Sequence, residues 1–223
     1  MALLVLAALI WLGAHLGIAG TRLRGAIAAR IGEGPFRGLF SALSILVILL
    51  LVFAYNRAPT SLLWVAPDWL RWVLVLVMLP AFFLFVASVT TPNPTAVGGR
   101  TTAAPRGIQR VTRHPMLWSF ALWAAVHILG NGDTASLVFF GTFLATALAG
   151  MPSIDQKLAQ RDPAGWSQLA PTTSILPFGA IAAGRNHLAF REIGWIAPAI
   201  ALLAWAVMLH IHRAVFGVSP LPM

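Results

Sequence analysis

The chain has 223 residues, 59 % hydrophobic and 9 % charged, with mean hydropathy +0.83. A soluble domain carries about 25 % charged residues, so these figures exclude an ordinary water-soluble core and predict an integral membrane protein. Net charge is +9, but the basic residues sit in loops between apolar segments, which fits orientation in a lipid bilayer and contact with anionic headgroups rather than nucleic acid. Cys is absent, which excludes disulfides and thiolate chemistry. The alternating ten-residue segments of a β-barrel are not seen, so the spans are expected to be helices.

Residues 2–19 are apolar apart from His15 and predict a first span. They lack a basic leading region and a cleavage site, and so read as a retained helix. Residues 20–37 carry Arg22, Arg24, Arg30 and Arg37 against Glu33; part of this stretch has the amphipathic spacing of a surface helix. Residues 38–55 and 69–90 predict the second and third spans, with Pro80 a candidate kink. A loop with three Pro and three Gly covers 91–112.

Residues 115–130 and 134–150 predict the fourth and fifth spans, joined by a tight antiparallel hairpin. Pro115 suits a first helical turn with His114 at the N-cap; Asn131-Gly132 reads as a stop, and Asp133 as the cap of the next helix. Residues 151–177 are polar enough to leave the bilayer, with 154–161 a short surface helix, and the apolar patch 178–184 is too short to span. Residues 193–212 predict the sixth span. The expected architecture is an all-α integral membrane protein, one domain over 1–223 with about six transmembrane helices. The first, third and fifth loops carry four Lys or Arg each. By the positive-inside rule they are cytoplasmic, which makes both termini periplasmic.

Histidines within membrane helices are costly without a partner and so are functional candidates. His15 lies in the first span and His114 at the cytoplasmic mouth of the fourth. His127 lies farther along that helix, and His210 and His212 near the outer end of the sixth. His187 is expected to be solvated. His210 and His212 face different directions, so one of them should point inward. Three readings are open: imidazoles on facing helices holding a haem iron; a bare metal site, which lacks carboxylates in the spans; or histidines that merely bond backbone carbonyls. His114 and His127 are separated by about 220° around their helix and cannot serve one site from one face. Pairing His127 with His212, or His15 with His114, is level with the membrane plane; His15 with His127 is oblique. Asn93, held between two prolines, could line a site mouth. Arg100, Arg106, Arg110 and Arg113 could pair with haem propionates or simply orient the protein.

The runs TPNPTAVGG…RHPMLWSFALWAAVHILGNGD, D-Q-K-L…W…P-F-G-A-I…G-R and H-x-x-x-F-G-V-S-P resemble the NnrU family of bacterial membrane proteins along essentially the whole chain. The resemblance implies a bacterial inner-membrane protein linked to nitrite and nitric oxide reduction. It extends to the membrane domain of the plant 15-cis-zeta-carotene isomerases, which are haem b enzymes. Their two ligand histidines fall on His15 and His127 and a third motif histidine on His114; an exchangeable cysteine falls on Ala124, where this sequence departs. The implied function is haem-linked redox chemistry or isomerisation of a hydrophobic polyene. A weaker resemblance, through Arg113-His114-Pro115 and Asp155, is to membrane methyltransferases that use S-adenosylmethionine. A non-enzymatic alternative is an assembly factor for a respiratory reductase.

Overall fold

The structure is a computed structural model that describes residues 1–91 and 104–222. Asn93 and Arg100 lie outside the described residues. The regular structure of the described residues is all helical, apart from one isolated bridge between Leu62 and Asp133. The elements are α1 (Ala2–Leu12) with a π-helical turn over Gly13–Ile18, α2 (Arg22–Ile31), α3 (Glu33–Tyr55), α4 (Asp68–Thr90), α5 (Pro115–Asn131), α6 (Thr134–Arg161), α7 (Pro163–Thr172), α8 (Gly179–Ala182), α9 (Phe190–Ile193) and α10 (Ile196–Phe216).

Four of these helices, α3, α4, α6 and α10, are long and apolar enough to cross a membrane. The first segment joins them if its bend is allowed: α1 and its π-turn meet α2 at 80°. Gly20 sits at that bend, where a Cβ would lie 2.3 Å from the Leu16 carbonyl oxygen. Thr21 then caps α2 by accepting from the Leu23 amide. As expected of a surface helix, α2 buries no residue. α5 has 17 residues, about 25 Å at 1.5 Å per residue, short of the ~30 Å hydrocarbon core.

Neighbouring apolar helices pack in the order α10, α4, α5, α6, α1, α3. The α5–α6 hairpin makes that pair antiparallel, whereas the ties between α1 and α6 make those two helices parallel. Trp11 donates to Thr146, and Ser153 donates to the Gly20 carbonyl; Trp205 donates to the Val75 carbonyl. All the described basic residues except Arg57, Arg71 and Arg213 therefore collect at one end of the bundle. Both termini lie at the other. One core, with Leu4, Ala7, Trp11, Leu51, Ala124, Phe139 and Phe140, joins α1, α3, α5 and α6. A second, with Leu84, Ala87, Ile108, Val111, Ala197 and Ala201, joins α4, α10 and the 104–113 segment.

The stop between α5 and α6 is as the sequence predicts. Gly132 takes φ +67°, with its carbonyl accepting from the Leu63 and Trp64 amides at 2.7 and 3.1 Å. Asp133 caps α6 through the Ser136 amide at 2.9 Å. Pro80 lies inside α4, which is one helix from Asp68 to Thr90. Two boundaries need correction. The second apolar helix begins at Glu33, not 38. The expected separate surface helix at 154–161 is the end of α6 itself, which reaches Arg161. The reason lies in Met151, Asp155 and Leu158, whose spacing of four and three sets them on one buried face.

Candidate functional site

Four histidines occupy three distinct environments. At the basic end, Pro115 starts α5 and His114 is its N-cap residue. His114 Nε2 lies 2.8 Å from Asp155 Oδ1. Arg113 approaches the same carboxylate with its Nε at 2.9 and 3.0 Å and its Nη2 at 2.6 Å. The Arg113 guanidinium also lies 5.3 Å from the Trp166 ring. All three charged or titratable side chains are buried. The chain supplies this packing locally: Arg113 and His114 close the 104–114 segment, while Asp155 sits on the buried face of α6 one helix away. Thr112 helps by accepting from the His114 amide and donating to the Ile175 carbonyl. His114 Nδ1 is buried without a hydrogen-bond partner among the described residues.

Beside this triad, a cavity of about 460 Å³ is lined by Arg113, Thr173, Ser174, Leu176, Gly179 and Arg185. Farther out, Arg110 binds Glu192 through Nε and Nη2, each at 2.8 Å, and Gly107 donates its amide to the same carboxylate. The Arg110 hydrogen bonds, with that from Gly107, hold the Glu192 carboxyl down to about 2. These ties fix the loop around 107–113 to the segment before α10.

His127 and His212 define the second environment, toward the opposite end. His127 Nδ1 is 2.7 Å from the Trp123 carbonyl oxygen. Its ring stacks on Phe140 with centroids 4.7 Å apart and faces the His212 ring at 6.4 Å. His212 Nδ1 is 2.8 Å from the Val218 carbonyl oxygen. A carbonyl can only accept, so Nδ1 carries a proton in both rings, and in the neutral form of each ring the lone pair is on Nε2. His15 has the same posture, with Nδ1 3.0 Å from the Trp11 carbonyl and the ring stacked on Trp11 at 3.8 Å. Its Nε2 has Ser44 Oγ at 3.5 Å. Carbonyl bonds of this kind are what an apolar-helix histidine needs for its own sake. They are also what a metal-ligating imidazole uses to fix its tautomer.

The structure brings His127 to His212 and does not bring it to His15. His15 has Trp11 and Phe40 as ring neighbours; His127 has Trp123, Phe140 and His212. Trp11 is level with Thr146 and Gly20 with Ser153, so His15 stands near residues 148–150 of α6. His127 stands at Phe140. The offset is about eight residues of helix, roughly 12 Å. Phe143 fills part of the interval, against both Trp11 and Trp123. Of the remaining histidines, His187 and His210 are exposed, so His212 is the inward member of its pair. No group of three or more His, Cys, Asp or Glu forms a cluster among the described residues.

Sequence reasoning gave the four buried or half-buried histidines and Arg113. It missed Asp155 as the partner of both Arg113 and His114, and the aromatic wall of Phe140 and Phe143. The signal for Asp155 was present: it is the sole acid between Asp133 and Asp162, four residues after Met151 and three before Leu158.

Fold and site together define an all-helical multi-pass membrane protein. It has an imidazole pair in its apolar half and a buried Arg-His-Asp triad at its basic end. The chain belongs to the NnrU family, whose description reads "NnrU protein"; residues 3–220 match. It is 30 % identical over 180 residues to a chloroplastic 15-cis-zeta-carotene isomerase of Arabidopsis thaliana, covering 78 % of this chain and 48 % of that protein. It is 26 % identical over 193 residues to the chloroplastic 15-cis-zeta-carotene isomerase of Zea mays, with coverages of 83 % and 52 %. The chain thus spans about half the length of the curated relatives it matches. No solved structure matches it.

Proposed function

We propose that this protein is a haem b-dependent, isomerase-like membrane enzyme that turns a double bond in a hydrophobic polyene. We place it in the bacterial inner membrane with its apolar helices crossing as six spans, the basic end cytoplasmic and both termini periplasmic. The observation that carries the reading is His127. It is an imidazole in an apolar helix, its Nδ1 bonded to the Trp123 carbonyl at 2.7 Å, its Nε2 uncommitted, its ring stacked on Phe140. Relatives that are isomerases of a carotene give that donor a fitting substrate class.

The donor set suits haem. Neutral imidazoles with fixed tautomers are its commonest protein ligands. When bound, haem supplies an iron that can exchange an electron with the substrate's π-system. What the chain itself does is simpler. The Trp123 carbonyl fixes the His127 tautomer. Trp123, Phe140 and Phe143 offer flat apolar faces suited to a conjugated chain and keep water away. A cis–trans change transfers no atom or proton between substrate and protein, so an apolar wall without a general base is adequate to it. The Arg113–His114–Asp155 triad locks the cytoplasmic ends of α5 and α6, which holds α5 and therefore His127 in register.

The methyltransferase reading loses its anchor. Asp155 already accepts from both Arg113 and His114, so it is not offered to a second cofactor. The test is an absorption spectrum of the full chain purified after expression with a haem precursor. A Soret band at near one haem per chain is expected. Protein with no Soret band refutes the reading.

A further inference from the structure

Arg57, Arg71 and Arg213 sit at the end of the bundle that carries both termini, against the charge bias that orients the rest. Arg57 has a local use: its guanidinium lies 3.9 Å from the centre of the Phe53 ring. Arg71 and Arg213 have none. Neither side chain makes an ion pair or a hydrogen bond among the described residues. Asp68, on the same helix one turn before Arg71, is not joined to it. Arg71 also lies in the first turn of α4, where the helix dipole disfavours a cation.

The two side chains nonetheless share a place. They line one cavity of about 220 Å³ with Gly217, Val218, Ser219 and Leu221. Gly217 ends α10 at φ +76°, in the left-handed region, and turns the chain back. His212 Nδ1 then donates to the Val218 carbonyl at 2.8 Å, and the Leu221 amide to Ser219 Oγ at 3.2 Å. The tail wall is held by these bonds, and none of them draws on either guanidinium. The Val218 and Ser219 amides carry no hydrogen bond among the described residues. Two guanidiniums and two unused amides thus belong to residues around one space, and no acidic side chain lines it.

Like charges that share a cavity repel one another unless an anion lies between them. The volume decides which anion. About 220 Å³ holds roughly seven waters at ~30 Å³ each, enough for one phosphate group. It falls below the roughly 300–1,000 Å³ pockets of larger organic ligands. Arginine suits phosphate through paired N–H···O bonds. The setting decides the source of the phosphate. Trp69 and Trp72 flank Arg71 and are exposed, as is Phe216 beyond Arg213. Aromatic side chains at the ends of apolar helices mark the level of lipid headgroups. Exposed Val215 and Val218 make the rim apolar, which fits a phosphate that carries hydrocarbon chains.

We propose that Arg71 and Arg213 clamp the phosphate of an anionic lipid headgroup, tying the folded-back tail to the start of α4. The site is separate from His127 and stands whether or not haem is bound there.

The experiment uses the full chain in a neutral detergent, freed of lipid. The chain has no cysteine, so Phe216→Cys accepts a single environment-sensitive fluorophore beside the cavity. Titration with short-chain phosphatidylglycerol should saturate, with an affinity at least about tenfold above that of inorganic phosphate, because a few buried methylenes add to the headgroup contacts. Arg71→Gln and Arg213→Gln should each weaken lipid binding by about tenfold or more, the scale of one charge-assisted hydrogen bond. Arg30→Gln with Arg57→Gln removes the same charge elsewhere and should leave binding unchanged. Without lipid, Arg71→Gln with Arg213→Gln should melt no lower than the parent, since it relieves a repulsion; this also shows that the variant is folded. Lipid binding that survives this double substitution overturns the site. Equal weakening by Arg30→Gln with Arg57→Gln overturns it too, by reducing it to overall charge. Phosphate that binds as tightly as the lipid overturns the lipid as the source. A lower melting temperature of the lipid-free Arg71→Gln, Arg213→Gln variant overturns the premise that the two guanidiniums are unpaired.

Discussion

Replacing Asp155 by Asn removes one negative charge and leaves the shape of the side chain. Its carboxylate takes three short bonds from Arg113 and one contact from His114, between 2.6 and 3.0 Å, with the Arg113 and Asp155 side chains each 10 % exposed and His114 fully covered. An amide offers one acceptor and one donor where the site presents donors from two sides. Whichever way it turns, an amide N–H meets a guanidinium N–H, and the buried Arg113 loses the carboxylate charge it faces. Breaking such a buried pair costs about 3–5 kcal/mol, a large share of a total folding stability of about 5–15 kcal/mol. For a chain of this length that is a fall in Tm of roughly 6–20 °C. Thermal unfolding in detergent measures it. The variant Arg113→Met, His114→Phe, Asp155→Leu, which empties the site of charge, should recover much of the loss, because apolar replacement of a whole buried pair is often neutral or better. A loss below about 1 kcal/mol for Asp155→Asn, the scale of a solvated ion pair, would refute the argument.

Gly132→Ala should destabilise the α5–α6 hairpin by more than a kilocalorie or so, because φ is +67° and the new Cβ would lie 2.1 Å from the Trp64 carbonyl oxygen; a melting temperature within a degree of wild type contradicts this. Glu192 has its carboxyl lowered from 4.5 to about 2, chiefly by the Arg110 hydrogen bonds. A depressed acid contributes stability above its unfolded value that is lost as pH falls through the folded one. The Arg110–Glu192 tie should therefore weaken between pH 4.5 and about 2. The protection factor of the Gly107 amide, which donates to Glu192, should fall across that window relative to an unstructured amide at the same pH, and protection that disappears above pH 5 would contradict the assignment.

The sequence made some parts of this molecule legible because their causes are local. Pro115, Gly132 and Asp133 act within a few residues of themselves, so the ends of α5 and the start of α6 could be placed. Apolar runs marked the helices, and the clustering of Arg residues marked one end of the bundle. What could not be read depended on neighbours distant in the chain. The partnership of Asp155 with Arg113 and His114 crosses more than forty residues, and the helix that carries Asp155 looks polar enough to have left the bilayer. The choice between His15 and His212 as the neighbour of His127 was likewise open. It turns on which helices pack together and on the return of the tail after Gly217, neither of which has a signature in hydropathy. The resemblance pointed to His15; the packing order places Phe143 and about eight residues of helix between it and His127.

The central claim is that this chain turns a polyene double bond and needs haem to do so. It is tested most directly by incubating the purified, haem-loaded protein in liposomes with 15-cis-zeta-carotene and separating the isomers by chromatography. Conversion that follows haem occupancy, and that falls to background in haem-free protein and in His127→Ala, is the predicted result. Haem-loaded protein that leaves the isomer ratio unchanged would contradict the account.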